Sequence, residues 1–201
     1  MLSRKGKFAV CHNHTRTREI KAVTKETKPL LTPKYLTAET ARIAVAATLE
    51  SIFSGYLKGA LTPHREHLHV VVLVPGMTDH VAEDYPNWPD YPLKPVLLYE
   101  ESRGKPEEFE YPFDNIARCK ALQLWTDRND DRTDCIPHLL FKGDTPYWGG
   151  VKRRGIVVTC SGLKPWIDKL ISGMVADMLV AMAHAAWENS KDKTDEVDFL
   201  T

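Results

Sequence analysis

Residues 143–162 read "GDTPYWGGVKRRGIVVTCSG", and how this run folds settles what kind of sheet the chain can build. A proline and two adjacent aromatics precede a Gly-Gly pair, a basic tripeptide, a glycine and a β-branched run. Two short strands, "YWGGVK" and "GIVVTCSG", meeting at a tight turn near Lys152 to Gly155 account for all of it. Gly155 can take positive φ, and the basic residues keep the turn wet. A tight turn joins antiparallel neighbours. The Gly149–Gly150 pair raises a second question, because glycine inside a strand marks a bulge or a close approach of another backbone or a ligand. Close packing against the last helix and room for a ligand are equally good readings of it.

Working outward, "KPWIDKLISGMVADMLVAMAHAAW" follows as the final helix, with Pro165 in its first turn. Ile167, Ile171, Met174, Met178 and Met182 form one stripe, widened by Leu170, Val175, Leu179 and Val180 until little of the helix is polar. Upstream, "PFDNIARCKALQLW" reads as a helix with Ile116, Cys119, Leu122 and Trp125 on one face. "LTAETARIAVAATLESIFSGYLKG" reads as the first long helix, with Thr37 as N-cap and Gly59 as stop. Its apolar face is Ala41, Val45, Leu49, Ile52 and Tyr56. Between the helices, "HLHVVVLVP" and "PVLLYEES" read as strands. The order α-β-β-α-β-β-α with tight turns gives an α+β fold, an antiparallel sheet covered by helices.

Of the thirteen prolines, seven fall between Pro75 and Pro112. That density makes residues 76–95 an irregular insertion, carrying Tyr85, Trp88 and Tyr91 as interface or cleft-covering anchors. The chain of 201 residues, 43% apolar, divides into a basic arm (1–34), one domain (35–188) and an acidic tail (189–201). Net charge is zero, so overall charge selects no partner. The arm's lysines and arginines would suit nucleic acid, yet they form no dense run and read as a solvated tail, which makes nucleic acid an unlikely partner.

Four scattered cysteines without a C-x-x-C pair fit reduced thiols, hence a cytoplasmic setting. No stretch approaches about 18 uninterrupted apolar residues, so no membrane partner is expected. A final helix apolar over most of its circumference calls for a homo-oligomer, with Met178 or Val180 meeting a symmetry mate.

These residues also resemble a family. "HLLFKGDTPYWGGVKRRGIVVTCSG" followed by a helix with an early acid is similar to the GlcG/HbpS-like haem-binding family, related to PduO C-terminal-like domains. Lys120 and Ala121 match its "KA" helix, Gly149 and Gly150 its Gly-Gly pair, Ser161 and Gly162 its strand end, and Asp168 its helix acid. The likeness spans roughly residues 37–187. "IVVTC" stands where the family has a small, Gly-containing strand. The resemblance implies a helix-covered antiparallel sheet, multimers, and a small-molecule ligand such as haem, a corrinoid or a small organic acid.

A pocket beside the hairpin would then use Lys120 and Arg153 to attract carboxylates. Trp148 and Trp166 would be flat walls and Ser161 and Asp168 would orient the ligand, near Gly149 and Gly150. An acid–base or metal-assisted enzyme is the competing class, so catalytic residues stay unassigned. "HREHLH" places His64, His67 and His69 close together, with His67 and His69 on one strand face as two ligands of a metal site. His138 or His184 could complete it, or the pair is an ordinary solvent-facing strand start. Asp177 and His184 share a helix face and are either an oriented imidazole or an interface contact. Cys160 in a β-branched run reads as inert core, and the methionine stripe as core filler rather than a haem-pocket lining.

Overall fold

The computed structural model describes residues 29–78, 92–129, 136–194 and 200. The basic arm up to residue 28, the aromatics Tyr85, Trp88 and Tyr91, and most of the acidic tail lie outside them. The fold is α+β: helices pack on both faces of an open, four-stranded, wholly antiparallel sheet of order β2-β1-β4-β3. In chain order the elements are α1 (Ala38–Phe53), α2 (Lys58–Leu61), β1 (Leu68–Gly76), β2 (Lys94–Arg103), α3 (Phe113–Trp125), β3 (Gly150–Arg153), β4 (Ile156–Ser161), α4 (Pro165–Glu188) and α5 (Lys191–Thr194). Two of these, α2 and α5, are four-residue helices absent from the sequence reading.

Alternation along the central strands divides the core. Leu68, Val70, Val72 and Val74 of β1 face α1 and α4, together with Val158 and Cys160 of β4. Val71 and Leu73, with Val157, face α3. Both sheet faces are therefore covered, which is why β1 and β4 read as continuous apolar runs rather than alternating ones.

The turn follows its sequence. Arg153 pairs with Ile156, so Arg154 and Gly155 alone make the loop, with φ of 48° and 89°. Two successive positive φ values are the twist-matched two-residue hairpin geometry. β3 starts at Gly150 rather than Tyr147, because Gly149 has φ 119° and breaks the extended run.

Three helix faces differ from their expected ones. α1 is capped by Thr37, whose hydroxyl accepts from the Thr40 N–H while the Thr40 hydroxyl accepts from the Thr37 N–H. It stops before Gly55, leaving Gly59 inside α2 and Tyr56 fully exposed. On α3 the buried face is Phe113, Ala117, Ala121 and Leu124, while Leu122 is 51% exposed. Small alanines bring the helix close to the sheet, a gain that apolar periodicity does not register. On α4 the buried stripe is Ile167, Ile171, Val175 and Leu179. Met174, Met178, Val180 and Met182 flank it, half-buried against the same core.

By length and composition α4 is apolar enough to cross a membrane. The count of uninterrupted apolar residues missed this, since Asp168, Ser172 and Asp177 punctuate the run. In the fold one face of its first four turns is core.

Candidate functional site

Antiparallel order brings several chain ends to one edge of the molecule. The start of β1, the end of β4, the entry to β3 and the N-termini of α3 and α4 all meet there. Between them lies a cleft of about 420 Å³.

Its floor is an ion pair. Lys120 comes from α3 and Asp168 from the first turn of α4, and both are 2% exposed. The Lys120 ammonium donates to the Cys160 carbonyl at 2.9 Å and sits 3.4 Å from the Asp168 carboxylate. The other Asp168 oxygen accepts from the Leu163 N–H at 3.1 Å. Burial pushes the Asp168 carboxyl up to about 6, against the opposing pull of the Lys120 charge and the Leu163 N–H. Ser161 closes the floor at the end of β4.

One wall is the segment entering β3. The Gln123 amide donates to the Thr145 carbonyl at 3.0 Å and the Asn129 amide to the Tyr147 carbonyl at 3.3 Å. These two bonds fasten the segment to α3 and its C-terminal turn and set Tyr147 and Trp148 along the cleft. Arg65, Tyr111 and Phe113 also line the cleft. The Arg65 guanidinium lies 5.6 Å from the Tyr111 ring centre and 5.9 Å from that of Phe113, and pairs with Glu110 at 2.6 Å. His64 and Lys164 complete the rim. Burial lowers the His64 pKa, and the like charges of Arg65 and Lys164 lower it further.

The glycine pair is explained by packing. A Cβ on Gly149 would stand 2.7 Å from Asp168 Cβ and 3.0 Å from the Pro165 carbonyl oxygen. One on Gly150 would meet Leu124 at 2.5 Å and Thr159 at 2.6 Å. Ser172 adds a hydrogen bond to the Gly149 carbonyl at 3.2 Å. The glycines let α3 and α4 close on the hairpin, and in doing so they seat the Lys120–Asp168 floor.

Of the residues singled out from sequence, Lys120, Trp148, Ser161 and Asp168 line one cleft. Arg153 does not. It sits at the turn end of β3, about 10 Å along the strand from Gly150, and its Nε lies 3.5 Å from Asp177. Trp166 is 59% exposed and is not part of the cleft lining. His184 is exposed, about 24 Å down α4 from Asp168. It borders a separate groove with Tyr35 and Trp187, and Asp177 faces Arg153 instead.

His67 packs beside Phe109, ring centres 5.9 Å apart. His69 is buried, with its Nδ1 2.8 Å from the Ser102 hydroxyl and its Nε2 3.3 Å from Glu100. Arg118 grips Glu100 with two bonds of 2.9 and 3.0 Å. Burial lowers the His69 pKa despite Glu100, so the ring is neutral at neutral pH. Among the described residues no group of three or more His, Cys, Asp and Glu side chains is placed to hold a metal ion. Cys160 is fully buried and its thiol is pushed well up, which keeps it protonated.

The rim residues Arg65, Tyr111, Phe113, Tyr147 and Lys164 escaped the sequence reading. Their signal is positional: "HREH", "YPF", "YW" and "LKP" each flank the terminus of an element that ends on this edge. No family model, curated protein or solved structure matches the chain.

Proposed function

We propose that the chain is a small-molecule-binding protein of the GlcG/HbpS-like kind, taking a small organic acid in the cleft between α3, α4 and the hairpin. The observation that carries this is the lining itself. Aromatic walls and a few convergent polar groups are the usual make-up of a ligand site, and such sites run from about 300 to 1,000 Å³. The lining holds the bases Arg65, Lys120 and Lys164 against the single acid Asp168, which Lys120 already engages. An acidic ligand complements that surplus. Haem and a corrinoid suit it less well. The cleft of about 420 Å³ is at the small end of the range, and the only imidazole in its lining, His64, stands among cations on the rim. A mass spectrum of the protein under native conditions is expected to carry a bound acid, released on denaturation. A Soret band on titration with hemin, with no acid displaced, would overturn the choice of ligand class.

Asp168 favours a second reading. A carboxyl that titrates near neutrality inside a cleft is placed for acid–base work. Any turnover that uses it as base should rise with pH through a limb near 6, and a flat profile would dismiss the role.

A further inference from the structure

We infer that the ligand is an aromatic monocarboxylate whose carboxylate sits between His64, Arg65 and Lys164 and whose ring lies against Trp148 and Phe113. This rests on the acid-binding reading above and narrows it.

Three observations carry it. Glu110 meets Arg65 at one nitrogen, Nη2, and a guanidinium has five N–H donors in a planar fork. The Tyr111 and Phe113 rings, 5.6 and 5.9 Å from the guanidinium carbon, hold it beside the cleft. Arg65 is therefore preorganised, and its remaining edge can take a carboxylate bidentately. Next, Arg65 and Lys164 line the cleft with His64 and the charges of both disfavour its protonated form, against the pull of Glu110. An anion relieves that opposition. Third, four aromatic side chains line the cleft, Tyr147, Trp148, Tyr111 and Phe113, the last two with ring centres 6.1 Å apart at 51°. A flat apolar body among those rings gains stacking as well as burial, and a cleft of about 420 Å³ has room for it.

Proton uptake is a built-in corollary. An anion beside His64 opposes the cations that lower its pKa, so binding should draw protons from solution and tighten as pH falls. The groups facing His64 are Arg65, Lys164 and Glu110.

The test is calorimetric titration of the full chain with benzoate, benzamide, succinate and hemin. Benzoate is expected to bind at least tenfold tighter than benzamide or succinate. Arg65→Gln should weaken benzoate at least tenfold with the melting temperature unchanged, since both Arg65 and Glu110 are surface groups. Heats in two buffers of different ionisation enthalpy should reveal proton uptake that His64→Gln reduces, the remainder going to Asp168 in the same cleft. Equal affinity for benzamide would overturn the clamp. Succinate binding without benzoate would overturn the aromatic class and leave the acid-binding reading standing. Hemin alone, or no probe at all, would overturn both.

Discussion

Asp168→Asn is expected to remove about 3–5 kcal/mol of unfolding free energy, the usual result of leaving a buried charge without its partner. The charge left behind is the Lys120 ammonium, 2% exposed and held otherwise by the Cys160 carbonyl. Lys120→Met should cost less, because a carboxyl can escape its burial by taking up a proton. The pH dependence then separates the two variants. Asp168 titrates above its ordinary value, to about 6. Its folded state thus holds a proton that the unfolded chain has released, and stability from this group is full below about pH 4 and lost as pH climbs through 6. Without Lys120 the carboxyl titrates higher still, so Lys120→Met should weaken more steeply than the parent between pH 5 and pH 8. The double variant, uncharged at both positions, should recover much of the loss. Urea unfolding of the four proteins at the two pH values measures all of this. A cost under 1 kcal/mol for Asp168→Asn would mean that the pair is solvated.

Gly149→Ala should be the other severe substitution, lowering stability by roughly 3 kcal/mol or more. A φ of 119° is strained for any side chain, at about 1–3 kcal/mol. Overpacking against Asp168 and Pro165 adds about 1–3 kcal/mol. For a chain of this length that is a fall of about 10 °C in melting temperature. Gly150→Val carries only the overpacking against Leu124 and Thr159 and should fall less. If Gly149→Ala melts like the parent and loses its ligand, the glycine serves the ligand and the packing account is wrong.

The hairpin and the antiparallel sheet were legible because their determinants are local. Arg154 and Gly155 specify the turn, and β-branched runs specify β1 and β4. The buried face of α3 was not legible. Ala117 and Ala121 carry little hydrophobic signal, and the polar Lys120 and Gln123, both buried, carry none. Their burial depends on partners distant in sequence, the Cys160 carbonyl and the Thr145 carbonyl. The cleft suffered the same way. Lys120, Trp148, Ser161 and Asp168 were singled out, whereas the rim comes from four segments that meet only once the sheet has closed. Arg153 was misplaced because sequence proximity to Gly150 hides the length of strand between them.

Strand order has a kinetic consequence. β3 and β4 close across two residues, but β1 and β4 pair His69 with Ser161, and nearly half the chain must be looped to bring them together. Loop closure on that scale is slow and offers little reward until it is complete. Lys120, Cys160 and Asp168 all follow β1 in the chain and meet across 40 and 48 residues, whereas His64 and Arg65, which lead into β1, reach the cleft only through that longer join. A form in which β1 has not docked would therefore lack this part of the rim. A ligand held there can slow unfolding without hastening folding, and it selects for chains that have completed their longest-range contact.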